Sequence, residues 1–145
     1  MKSTWSLKVT TLAALFLFFV PSLTNGAEPL LIAVASDDKE ATSLVSNSAA
    51  RSQYYLLFDE TSQLIQVVNN PFLAKGRGAA SFVVDYLAQK GVGVVVAGRF
   101  GPVMIEAMNR KGMKYVPYSG VAQSAAERVI NSLRPPKKDE KKSTQ

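Results

Sequence analysis

The chain has 145 residues with no histidine and no cysteine, and its formal net charge is +6. This length fits one domain, and the hydrophobic content of 47% is typical of a globular protein. Residues 28–133 carry ten basic and nine acidic side chains, so the positive charge lies mainly at the two ends and does not favour nucleic-acid binding. Without histidine, the chain lacks the usual base of serine hydrolases. Without cysteine, it has neither thiolate ligands nor disulfides.

The amino terminus has the pattern of an export signal. Two lysines precede a largely apolar stretch, residues 9–20, and small residues follow it. We expect residues 1–27 to be a signal peptide that is cleaved after Gly26 or Ala27, which predicts a periplasmic or secreted protein. An uncleaved membrane anchor is the alternative, although a spanning helix needs about 20 apolar residues.

The next part of the chain predicts three strands. An apolar run covers residues 30–35, and an aromatic-rich run covers residues 53–58. A polar turn at 59–62 joins the second run to a third at 64–68, which predicts a hairpin that ends before Pro71.

The second half predicts three helices that alternate with strands at 92–97 and 114–117. Apolar spacing places the helices between Gly78 and Gly91, from Pro102 to before Gly112, and at about 121–133. The order predicts an α/β domain over residues 28–133, with a mixed five-stranded sheet flanked by helices. The residues expected to face the sheet are Ala79, Phe82, Val83, Tyr86 and Leu87, then Val103, Met104, Ala107 and Met108, then Ala122, Ala125, Ala126, Val129 and Leu133.

The carboxyl terminus predicts a tail. Residues 134–145 contain five basic and two acidic side chains, and two prolines stop the preceding helix. We expect a basic disordered segment that can contact an acidic surface or membrane headgroups.

Two turns that contain glycine and arginine precede helices. One of them follows the apolar strand 92–97, and the carboxyl ends of strands and the amino ends of helices favour anionic ligands. The alternative is that the glycines only permit tight turns and that the arginines are solvated. The candidate ligand-binding residues are Gly76, Arg77, Gly78, Gly98, Arg99 and Gly101, with Arg51 and Asp37 from neighbouring loops.

The acidic residues of the chain do not form a pattern that is typical of a metal site. Asp37 and Asp38 are adjacent, which is more typical of a turn than of a metal site, and Asp59 and Asp85 fall in a hairpin turn and on a helix. We therefore predict neither a metal site nor a nuclease from these carboxylates.

Several segments together resemble a known family. Residues 30–130 are similar to the dinitrogenase iron–molybdenum cofactor biosynthesis domain, whose fold is similar to ribonuclease H and whose members include nitrogenase cofactor carriers. The resemblance implies this fold and an iron–molybdenum-type cluster. The matching segments are IAVASDD, VSNSAARSQYYLLFD, VVNNP, GRGAASFVVDYLAQKGVGVVVAGRFGP and GMKYVPYSG.

One family motif is altered in this chain. Its usual form begins with valine-serine and ends with histidine-phenylalanine-glycine-arginine. This chain keeps the beginning and Arg51, but Ser48, Ala49 and Ala50 replace the other three residues. Because histidine is the obvious metal ligand of that motif, its loss argues against direct ligation of a cluster.

The expected function is therefore an exported, non-enzymatic binding or carrier protein. Its ligand is a metallocofactor or a small anion bound at the glycine–arginine turns. A protein-interaction module without a small-molecule ligand is the alternative, and no nucleic-acid partner is expected.

Overall fold

The computed structural model describes residues 28–134 of the chain, which contain five strands and three helices. The predicted signal peptide and the tail from residue 135 onward lie outside these residues. The order confirms the predicted β-β-β-α-β-α-β-α arrangement. The elements are β1 (Leu31–Ser36), β2 (Tyr54–Phe58), β3 (Leu64–Asn69), α1 (Ala79–Gln89), β4 (Val92–Ala97), α2 (Pro102–Arg110), β5 (Lys114–Pro117) and α3 (Ala122–Leu133).

The strands form one mixed five-stranded sheet, as predicted, and their order in it is β3-β2-β1-β4-β5. β1 is parallel to β4, and β4 is parallel to β5. β2 is antiparallel to β1 and to β3, which confirms the predicted hairpin. The carboxyl ends of β1, β4 and β5 therefore meet at one end of the sheet, which we call the carboxyl end. No helix within residues 28–134 is long and apolar enough to cross a membrane.

The sheet is covered on both faces because its central strands are apolar along their whole length. β1 and β4 are almost fully buried, as expected of parallel strands between two helical layers. One face packs against α1 and α2, where Val83, Leu87 and Met108 are fully buried. The other face packs against α3.

Three side chains predicted to face the sheet are exposed instead. Phe82 is 43% exposed, Val103 52% and Leu133 43%. Phe82 and Val103 lie at the margins of the apolar stripes of their helices, so a small rotation of the helix against the sheet decides whether they are covered. Leu133 lies within the apolar stripe of α3, but it is the last residue of that helix, and the end of the helix is exposed. Val84 and Ile130 are buried in the core and were not among the predicted residues.

Phe82 lies outside the sheet interface, whereas Tyr86 is half-buried and packs against the core. Both rings contact Phe72, at centroid distances of 5.6 and 6.0 Å, and the Lys75 Nζ lies 3.7 Å from the centroid of the Phe82 ring. These rings therefore hold the loop between β3 and α1 in place.

The turn between β2 and β3 is ordered by Asp59. Its Oδ1 accepts hydrogen bonds from the Thr61 hydroxyl (2.7 Å) and from the backbone N–H groups of Thr61 (2.8 Å) and Gln63 (3.0 Å). These donors stabilise the charged form, so they lower the pKa of the Asp59 carboxyl, with the Thr61 hydroxyl as the largest cause. This carboxyl thus has a local role in the turn.

Candidate functional site

A loop formed by residues 45–50 lies against the end of β4, and we call it the site loop. The Gly98 N–H donates to the Ser46 carbonyl (2.8 Å), and the Ala49 N–H donates to the Arg99 carbonyl (3.1 Å). Ser48 and Arg99 thereby form a parallel bridge. The site loop thus pairs with the residues that follow β4 at the carboxyl end of the sheet. This pairing brings Ser48 next to the turn that precedes α2.

This close approach depends on Gly98. A Cβ atom at this position would lie 2.9 Å from the Asn47 Cα and 2.9 Å from the Asn47 Oδ1. Only a residue without a side chain therefore allows the site loop to reach β4. Sequence analysis predicted that Gly98 binds a ligand, but the structure gives it a packing role beside the site.

A concavity with a volume of about 350 Å³ lies between the site loop and the start of α2. Pro102 is the first residue of the helix, and the first bond of the helix joins the Ile105 N–H to the Gly101 carbonyl (3.0 Å). The N–H groups of Val103 and Met104 precede that bond, so they belong to the unpaired donors of the helix end. The residues that line the concavity are Asn47, Ser48, Arg99, Phe100, Gly101 and Pro102.

The charge of this concavity is positive. Arg99 is its one charged lining residue, it is exposed, and it forms no salt bridge within residues 28–134. The positive end of the α2 dipole adds to the same field. The Phe100 ring packs against Tyr115 of β5 at a centroid distance of 5.4 Å. This contact stabilises the side of the concavity that Phe100 lines. The arrangement offers hydrogen-bond donors and positive charge without a competing carboxylate.

A buried network holds the site loop from below. The Tyr55 hydroxyl donates to the Ala49 carbonyl (2.8 Å), and burial raises the pKa of this phenol, so it remains a donor at neutral pH. The Asn70 side-chain amide donates to the carbonyls of Ala50 (3.1 Å) and Ser52 (2.9 Å) and to the Tyr55 hydroxyl (3.3 Å). Asn70 therefore connects the end of β3 to the loop that carries Ser48.

The other candidate residues lie outside the concavity. Arg51 is exposed just beyond the site loop, and residues 76–78 form the exposed entry to α1, where Gly78 takes a positive φ of 86°. Asp37 lines a different surface depression together with Asp38. The structure thus brings together Arg99 and Gly101 of the predicted set, with Gly98 beside them.

Sequence analysis did not predict Asn47, Phe100 and Pro102 as lining residues, and it treated Ser48 only as the replacement of a histidine. Asn47 and Ser48 lie in the altered family motif, and this was the available signal. Their contact with the α2 turn is a long-range one that no local pattern contains.

The lining residues do not fit direct ligation of an iron–molybdenum cluster. Such clusters are held through thiolate or imidazole ligands, whereas the concavity offers a hydroxyl, an amide and a guanidinium. Within residues 28–134, no group of three or more histidine, cysteine, aspartate or glutamate side chains could hold a metal ion. The side chains of Met104 and Met108 are fully buried in the core, as expected from their spacing.

Comparisons with known proteins agree on the fold. A family model described as dinitrogenase iron-molybdenum cofactor matches residues 29–134. The apo form of the orange protein from Desulfovibrio gigas is similar, with a TM-score of 0.68 and 24% identity over 75% of this chain and 94% of that chain. A putative NifB protein from Thermotoga has a TM-score of 0.60 and 29% identity over 72% of this chain and 90% of that chain. No curated protein matches the chain.

Proposed function

Because the chain belongs to the dinitrogenase iron-molybdenum cofactor family, we propose that it is a non-enzymatic binding or carrier protein, and that it holds a small anionic ligand in the concavity beside Arg99. The family supports a role in handling a cofactor, and the residues of this chain indicate the chemistry of the contact. The ligand is bound by hydrogen bonds and charge, because the residues that line the site do not fit ligation through nitrogen or sulfur.

The observation that carries this proposal is the convergence of donors on one surface. The Arg99 guanidinium and the unpaired N–H groups at the start of α2 both favour an anion. The hydroxyl of Ser48 and the amide of Asn47 add uncharged hydrogen-bonding groups from the opposite wall. Among residues 28–134, no carboxylate lines the same surface, so an anion meets no direct repulsion from them.

We expect Arg99→Gln to weaken anion binding about tenfold or more, because it removes a charge-assisted hydrogen bond. Isothermal titration calorimetry with molybdate, phosphate and sulfate as probes measures this change. Arg99 is exposed and forms no salt bridge within the described residues, so the thermal midpoint of unfolding should stay close to that of the wild type.

Arg110→Gln is the matched control for this experiment. Arg110 lies at the opposite end of α2 and pairs with Glu106 (3.1 Å), so its removal changes the net charge equally without touching the concavity. Equal affinities of the Arg99→Gln and Arg110→Gln variants would reject the proposed site. If the wild type binds none of the probes, and the protein purified from its host carries no small ligand but one constant polypeptide, the result would favour the alternative of a protein-interaction module.

We also propose that the protein is exported, which the charged and apolar pattern of residues 1–27 supports. Intact-mass measurement of the protein from its host should give a chain that begins after Gly26 or Ala27. A mass that retains the first residues would instead favour a membrane anchor. The measurement needs no knowledge of the ligand.

A further inference from the structure

The two outer strands of the sheet differ in how well they are protected against pairing with another strand. β5 has four residues, begins with Lys114 and ends with Pro117, and a charged side chain and a proline both oppose pairing at an edge. β3 has six residues and contains neither a charged residue nor a proline. Within residues 28–134, no strand pairs with its outer side. β3 is therefore the edge that can accept a further strand.

β3 exposes three side chains, the apolar Ile65 and the polar Gln66 and Asn69. Its ladder with β2 shifts at Ile65, which is the extra residue of a bulge and is 56% exposed. From Gln66 to Asn69 the pairing with β2 is regular. The backbone N–H and C=O groups of these residues therefore point alternately toward β2 and toward the outer side, as in an ordinary antiparallel ladder. This regular part can form the contact.

We propose that β3 pairs in antiparallel orientation with β3 of a second copy of this chain, about a two-fold axis that passes midway between the two Val67 residues. Such an axis is perpendicular to the sheet, so each face of the sheet continues into the same face of the second copy. Gln66 and Val68 pair with β2 residues on the face covered by α1 and α2, whereas Val67 packs on the α3 face. Residues of one face must therefore lie opposite each other. The register that sets Val67 against its own copy and Gln66 against Val68 of the second copy meets this condition within the regular part of the strand.

Charges at the two ends of β3 favour this arrangement. The turn before the strand contains the exposed Glu60, and the loop after the strand contains the exposed Lys75 and Arg77. None of these three forms a salt bridge within the described residues. Antiparallel pairing brings the acidic end of one strand toward the basic end of the other, and the two-fold axis repeats the contact. A second copy thus fits the edge in charge as well as in register, whether or not the proposed anion site is correct.

Cross-linking through a single introduced cysteine tests the register directly, because the chain has no cysteine of its own. Opposite residues of an antiparallel pair have Cβ atoms about 4.5–5.5 Å apart, and the lower end of this range allows a disulfide. Under oxidising conditions the full chain with Val67→Cys should form a covalent dimer. The control is Lys114→Cys on β5, which should form little. Equal cross-linking of the two variants would overturn the proposal.

Sedimentation equilibrium of the cysteine-free full chain provides the second test. The wild type should show twice the mass of one chain. Gln66→Lys, at an exposed position of the edge, should raise the dimer dissociation constant about tenfold or more, because it buries an unpaired charge. Glu60→Lys should raise it about twofold to fivefold, and the added change Arg77→Glu should restore it. A wild type that sediments as a single chain, for example because its own terminal segment covers β3, would contradict the proposal, as would a failed charge reversal.

Discussion

Gly98→Ala is expected to destabilise the site loop and to abolish anion binding. The added methyl group would lie 2.9 Å from the Asn47 Cα and from its Oδ1, and real Cβ atoms do not approach backbone so closely. Either the loop moves away or β4 shifts, and overpacking of this kind costs about 1–3 kcal/mol. The hydrogen bonds from Gly98 to Ser46 and from Ala49 to Arg99 should weaken together, because they join the same two segments.

Urea denaturation and calorimetry on the same samples measure the two effects. Gly93→Ala is the matched control, since it makes the same change within β4, five residues before Gly98, where the new Cβ would meet only the Leu30 Cδ1 at 3.7 Å. The control should bind the anion as the wild type does. If Gly98→Ala also kept wild-type affinity and stability, the contact between the site loop and β4 could not be what shapes the concavity.

Asn70→Ala is expected to cause the largest loss of stability among these variants, about 3 kcal/mol or more. The side chain is buried and donates to two carbonyls of the segment that follows Ser48, while its Oδ1 accepts a hydrogen bond from the Phe72 N–H (3.0 Å). Alanine would leave these three backbone groups without partners, and the Ser52 carbonyl among them is buried. Each such group costs about 1–3 kcal/mol.

The neighbouring residue provides the control for this prediction. Asn69 is exposed, so Asn69→Ala should change the free energy of unfolding by no more than about 0.5 kcal/mol. Chemical denaturation of both variants gives the comparison. Similar values for the two would mean that the buried amide does not anchor the loop. Hydrogen exchange at the Ala49 amide, which should become faster in Asn70→Ala only, locates the effect at the site.

The order of the strands and helices could be predicted from the sequence because each depends on local periodicity. The continuous apolar run that became β4 and the Pro102 start of α2 were predicted at the positions where the structure has them. The errors at Phe82 and Val103 have a different origin. Periodicity identifies the apolar side of a helix, but the rotation of that helix against the sheet decides which margin of the stripe is buried. Leu133 is on the buried side of α3 but is exposed because it is the last residue of the helix.

The candidate site could be predicted only in part. Arg99 and Gly101 were found because a strand end followed by a helix start is a local pattern that favours anions. Residues 76–78 have a similar pattern but do not line the concavity, because they precede α1 and the concavity lies at the start of α2. Asn47 and Ser48 were missed as lining residues because their position depends on pairing with the distant end of β4.

The sequence by itself therefore determined the family, the order of elements and the donor chemistry of this protein. The absence of histidine and cysteine follows from composition, and it excludes the usual cluster ligands wherever the chain folds. Only the tertiary structure decided that Ser48 faces the start of α2, that Gly98 serves a close approach, and that β3 is the unprotected edge. These facts arise from contacts between segments that are far apart in the chain, and such contacts exist only once the sheet has brought the segments together.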